Sequence, residues 1–238
     1  VLIGYSAAFI AILGISGMTL NTSSRLHLFA ILSFFVLLAF ETLQLNTRRL
    51  YIYSSILLVV GVAGVFYGLF RNMTLPAIII WFTIAVLYAT VIFLGLIAQK
   101  QRMITQYSNA MVLCMATGIM CVVAGSGLLM QLNFVLAAAL GACLLVLVLV
   151  GKKADYVCYP VMGVVAILSA FMAMDMVLRA EDPWVLLPLA LIVILVNLFP
   201  SHNKLLWRQA LWGLLLSLPG FGLSLAWLWW TGDTSMDY

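Results

Sequence analysis

Two carboxylates stand inside apolar stretches of this chain. Glu41 lies in Phe-Glu-Thr-Leu and Asp175 in Met-Ala-Met-Asp-Met. An ionisable group in hydrocarbon costs at least a few kcal/mol, so it marks a functional position by default. As candidate intramembrane acids, Glu41 and Asp175 could bind a coupling proton or cation. The competing reading is interfacial, because each lies near one end of its run. Arg179 follows Asp175 by four residues and can pair with it along one helix face. Glu41 has no basic residue within four positions, so it reads as the deeper and less neutralised of the two acids.

The other reactive side chains form no recognisable catalytic set. His27 and His202 are the two histidines and fall on opposite sides of the threading derived below, which disfavours a shared haem or metal. Cys114, Cys121, Cys143 and Cys158 form no C-x-x-C and read as small buried apolar residues. Ser16 and Ser126 are flanked by glycine, but neither has a histidine at similar depth. There is no H-E-x-x-H and no phosphate-binding glycine loop. No cofactor and no metal are expected, and an enzymatic role is disfavoured.

Those residues sit in a chain of 238, of which 66 % are hydrophobic and 8 % charged. A soluble domain carries about a quarter charged residues. This composition cannot supply a polar surface, so the solvent must be lipid. Nine apolar segments can be drawn, at about 1–20, 27–45, 51–70, 76–98, 109–130, 133–150, 157–178, 183–199 and 208–230. Each approaches the roughly 20 residues that cross a hydrocarbon core. Backbone groups in lipid must be bonded within the segment, so the fold class is all-α: a single polytopic transmembrane bundle over 1–238. The first segment lacks a basic start and an A-x-A site and reads as a retained span. Gln131-Leu132-Asn133 reads as a tight turn between the fifth and sixth segments.

The basic residues set the threading. Arg48, Arg49, Lys100, Arg102, Lys152, Lys153, Lys204 and Arg208 all fall in the even-numbered connections. Arg25, Arg71 and Arg179 are scattered over the odd ones, together with Glu181, Asp182 and the tail acids Asp233 and Asp237. The positive-inside rule then places the amino terminus inside and the carboxyl terminus outside. Trp184, Trp227, Trp229 and Trp230 are expected as anchors at the outer interface. Gly64 and Gly68 form a small-xxx-small face suited to close helix packing. Pro219 and Gly220 are expected to interrupt the last helix, as a kink or as exposed backbone.

The net charge of +4 belongs to these membrane flanks, so no nucleic-acid partner is expected. The expected setting is an integral plasma or inner membrane protein in contact with lipid and other membrane subunits. The leading expectation is a non-catalytic subunit or transport-associated component of a larger membrane assembly. A stand-alone carrier or channel for a small solute or protons, using Glu41 and Asp175, is the alternative, with a lipid-modifying enzyme third.

Overall fold

The computed structural model describes residues 22–44, 47–99, 102–123, 126–150, 158–180, 182–199 and 205–232. The first apolar segment, Ser16, His202, Glu181, Asp233 and the four lysines lie outside these residues. The described chain is helical throughout, with no strand. Its helices are α1 (Thr22–Thr42), α2 (Thr47–Phe70), α3 (Leu75–Ala98) and α4 (Met103–Val123). They continue with α5 (Gly127–Val150), α6 (Cys158–Ala180), α7 (Leu186–Leu198) and α8 (Leu206–Gly232). Six of them, all but α4 and α7, contain stretches long and apolar enough to cross a membrane. They fit a multi-pass integral membrane protein.

Local chemistry explains several boundaries. Thr74 is extended (ψ 152°) ahead of α3, and Pro76 occupies the first turn, where its missing N–H would be unbonded anyway. The α1 chain end leaves the helix through Gln44 in the left-handed region (φ 46°). Asp182 accepts from the Trp184 backbone N–H at 3.1 Å and starts a single 3₁₀ turn, Pro183–Val185, that leads into α7.

Two boundaries differ from expectation. The fourth connection is shorter than the sequence suggests, since α4 starts at Met103 and takes Gln106 and Asn109 into its first turns. The following turn comes earlier, after Val123, and is closed by the Ser126 N–H on the Cys121 carbonyl at 2.9 Å. Gln131-Leu132-Asn133 is therefore helix interior, within α5. Asn133 reads as a turn residue in isolation, but here it is buried and donates to the Leu129 carbonyl at 3.0 Å. The segment at 183–199 also falls short of a full span. Its 3₁₀ turn and the 13-residue α7 together reach about 25 Å, against the roughly 30 Å of a hydrocarbon core.

The helices alternate in direction. Phe29 stacks on Phe171 and Leu37 lies over Gly163, so α1 and α6 run antiparallel. Gly118 meets Asn133 and Gly141 meets Met111, giving an antiparallel α4–α5 hairpin. Ser217 reaches Asn109 and Gly213 backs on Ser108, so α8 runs parallel to α4. One end of the bundle thereby gathers Arg49, Arg102 and Arg208; the other gathers Arg25, Arg71, Arg179 and Asp182.

The core is centred on α6. Of its spanning stretch 94 % is buried inside the protein. Around it Phe29, Phe66 and Phe171 form an aromatic cluster with centroids 5.6 Å apart in both pairs. Gly61 leaves room for Phe29, and Gly163 leaves room for Leu37 and Phe93. Small residues on α6 thus set how closely its neighbours approach.

Candidate functional site

Many polar side chains of the interior follow α4 and the helices it touches, and these divide into three levels; Ser24, His27, Ser33 and Ser54 are buried apart from them, on α1 and α2. At the end that gathers Arg102 and Arg208, four helix ends are tied side chain to backbone. Gln106 of α4 donates to the Leu96 carbonyl of α3 at 2.7 Å. Asn197 of α7 donates to the Gly95 carbonyl of α3 at 2.8 Å and to the Val193 carbonyl of its own helix at 2.9 Å. Thr105 of α4 donates to the Gln209 carbonyl of α8 at 3.3 Å. Trp212 of α8 donates its indole N–H to the Phe199 carbonyl at 2.8 Å, fixing the exit of α7.

Beside these lie groups with unused capacity. Gln99 caps the end of α3, is 1 % exposed, and has no hydrogen-bond partner at either amide atom among the described residues. Ser217 has one proton and two acceptors in reach, Gly213 O at 2.7 Å and Asn109 Oδ1 at 3.2 Å. With that proton on Gly213, an Asn109 amide turned to donate to Ser217 completes the pair. Either orientation leaves one Asn109 amide atom without a partner among the described residues. A buried polar atom without a partner costs about 1–3 kcal/mol, so this level is the least settled part of the interior.

Midway along, Thr117 of α4 and Ser169 of α6 meet at 3.3 Å, and Thr117 also bonds its own Leu113 carbonyl at 2.9 Å. Cys114 and Cys121 are buried on the same stretch of α4; with the half-buried Cys143 they are free thiols, and no His, Cys, Asp and Glu cluster among the described residues could hold a metal.

The third level is the acid. Asp175 is 4 % exposed, and its carboxylate accepts Arg179 Nε at 3.0 Å and Nη2 at 3.2 Å. The expected i,i+4 pair is present, and it is bidentate. Its arginine is half exposed at the bundle end, so the pair joins the core to the interface. Glu41 stands differently from its reading as the deeper acid. It occupies the last turn of α1 and is half-buried, so Asp175 is the enclosed carboxylate. A helix that ends at Thr42, three residues before the expected segment end, carries Glu41 out to its rim.

The remaining candidates also separate. Gly64 has nothing within 4 Å of where a Cβ would stand, and Gly68 is approached only by the Arg25 guanidinium at 3.5 Å. Among the described residues neither meets the backbone of another helix. The close approach is made instead at Gly220, where a Cβ would lie 2.7 Å from the Pro188 carbonyl and 2.8 Å from the Ile192 nitrogen. Pro219 does not interrupt α8, which is helical from Leu206 to Gly232. Gly220 serves the α7–α8 contact, and Pro219 itself is exposed. Trp184, Trp229 and Trp230 are 62 %, 82 % and 80 % exposed at one bundle end, whereas Trp227 is half-buried against the core. Comparison with protein families, with curated proteins and with solved structures finds no match to this chain.

Two adjoining cavities, of about 470 and 360 Å³, run along the seam between α3 and α7 and share Val91 and Ile194. Neither is lined by Glu41 or Asp175. The inner amides Gln99, Gln106 and Asn109 are residues that sequence reasoning left in or at the edge of a loop. Their signal is a polar run without proline or glycine, Thr105 to Asn109, leading straight into an apolar helix.

Proposed function

We propose that this chain is a non-catalytic, transport-associated subunit of a larger assembly in a plasma or inner membrane. The observation that carries this reading is how the interior polarity is used. Asp175 is matched by Arg179, and Thr105, Gln106, Asn197 and Trp212 tie helix ends to one another through backbone carbonyls. A gradient-driven carrier needs several oxygen ligands around a coupling ion near the midplane. Midway along the bundle the buried polar side chains are Thr117 and Ser169, bonded to each other, with Ser33 and Tyr88 apart from them on α1 and α3, and none is a carboxylate or amide. The open Gly64–Gly68 face supplies a surface on which a partner helix could pack closely.

The test is purification in mild detergent with mass spectrometry of co-purifying chains, comparing wild type with Gly64→Ile/Gly68→Ile. A defined partner recovered with wild type and lost from a folded variant supports the subunit role. A specific solute flux from the isolated chain in liposomes would replace it with the carrier reading. That second reading has its own support in the unmet hydrogen-bonding capacity of Gln99 and Asn109, which suits a neutral polar solute rather than an ion.

A further inference from the structure

We infer that the outward face of α8 around Pro219 docks a transmembrane helix of a partner chain, one that carries a hydrogen-bond donor near the bilayer midplane. Proline has no N–H, so the bond that residue 219 would give to the Leu215 carbonyl does not form. A carbonyl freed in this way in a spanning helix is bonded again by a local 3₁₀ or π turn, by a serine or threonine, by water, or by a neighbouring helix. α8 runs through Pro219 as regular α-helix, without a 3₁₀ or π turn. Its two serines are engaged elsewhere, Ser217 with Gly213 and Asn109, and Ser224 with the Gly220 carbonyl at 2.9 Å. The described helices leave the place open, since Leu215 and Leu218 are 56 % and 53 % exposed and Pro219 is exposed with them. Leu215 stands about 13 Å into the spanning stretch Leu206–Trp227, close to the middle of a hydrocarbon core about 30 Å thick, where there is no water.

The donor that remains comes from outside the chain. Acyl chains have none, and headgroups lie about 15 Å away, so lipid leaves the carbonyl unbonded. The same face of a second copy brings none either, because the side chains it exposes at Leu211, Leu215, Leu218 and Leu225 are apolar. A foreign helix with a hydroxyl or amide side chain meets the need. The surface also suits a close approach. Gly222 and Ala226 follow Pro219 on the same face and are both exposed, and nothing stands within 4 Å of a Cβ built on Gly222. Small residues there let a second helix come near enough for a side chain to reach the backbone. This inference rests on the subunit role and adds to the Gly64–Gly68 face a second contact, on a different helix.

The experiment places a photoreactive amino acid at Leu218 of the full chain in native membranes, with Leu145, exposed on α5, as the lipid-facing reference. Irradiation should yield one defined polypeptide adduct from Leu218 and lipid adducts from Leu145. Pro219→Ala restores the N–H to the Leu215 carbonyl and should lower the polypeptide adduct about fivefold, the size of one net hydrogen bond. Gly222→Ile, which blocks the close approach, should lower it at least as far. Lipid adducts alone at Leu218, or a polypeptide yield unchanged by Pro219→Ala, overturns the docking face. So does an adduct made of two copies of this chain. If Leu218 gives lipid alone while Gly64→Ile/Gly68→Ile still strips a co-purifying chain, the α8 contact falls and the subunit role stands. If no chain co-purifies either, both fall. Should Gly222→Ile not fold, Pro219→Ala decides alone, since alanine is the better helix former.

Discussion

α3 and α6 are both apolar helices of spanning length, and α3 is the more apolar of the two. Yet 94 % of the α6 span is buried in protein against 28 % of the α3 span. In water the more apolar helix would be the one inside. In a bilayer the lipid tails are as apolar as leucine, so hydrophobicity does not sort helices between core and surface. What sorts them is size and polarity. The central helix carries Gly163, Ala166, Ser169, Ala170 and Ala173, over which neighbours close tightly. The peripheral one turns Ile79, Ile80, Leu87 and Val91 outward. The same contrast separates the two kinds of glycine: Gly163 is a site of contact, and Gly64 stands in open space.

The sharpest way to break this contrast is to enlarge both glycines. Gly163→Leu should cost about 3 kcal/mol or more, because Leu37 and Phe93 occupy the space its side chain needs. Thermal unfolding of the chain in detergent should then show little or no folded protein. Gly64→Leu should change stability by less than about 0.5 kcal/mol in the same assay. Equal losses in the two would remove the distinction between centre and periphery.

The ion pair gives the next largest effect. Arg179→Ala leaves the buried Asp175 carboxylate alone and should cost about 3 kcal/mol, the low end for breaking a buried pair. Asp175→Asn should cost distinctly less, since the half-exposed arginine can turn to the headgroups. The double variant Asp175→Asn/Arg179→Ala should be more stable than Arg179→Ala alone, a coupling readable in a double-mutant cycle.

Smaller again is the tie between α3 and α7. Asn197→Leu removes a donor to two carbonyls and should lower stability by about 1 kcal/mol. Thr83→Val, which removes only a bond to the Ile79 carbonyl on an exposed face, should lower it by about half as much or less. A larger loss at Thr83 than at Asn197 would mean the interhelical ties do not hold the bundle together.

Much of the architecture was legible before any coordinates. The described helices follow eight of the nine expected apolar segments in order, and their alternation brings Arg49, Arg102 and Arg208 to one end. Continuous apolar runs carry that information, since a helix is the only self-satisfied backbone for them in lipid. The error fell where a helix is buried in protein instead. Gln106 looks like a loop residue and Asn109 like the very start of a span because in lipid they would be costly, but α3 and α8 bond them. The same reasoning misplaced the turn at Gln131-Leu132-Asn133 and moved the α4–α5 boundary toward the carboxyl terminus. Asp175 and Arg179 were readable as a pair from their spacing alone. The depth of Glu41 was not, because it depends on where α1 stops. The α3–α7 seam was not legible either, since it brings together two helices distant in sequence.

The central claim is that α6 is sealed from lipid while a more apolar helix, α3, lies at the periphery. It can be measured directly by releasing a small hydrophobic carbene reagent inside the bilayer of reconstituted vesicles and mapping the modified peptides. The account predicts heavy labelling of α8 around Leu215, Leu218 and Leu223 and of α3 around Ile79 and Ile80. It predicts little or no labelling of α6 between Met162 and Leu178. Labelling of that stretch at the level found on α8 would contradict it.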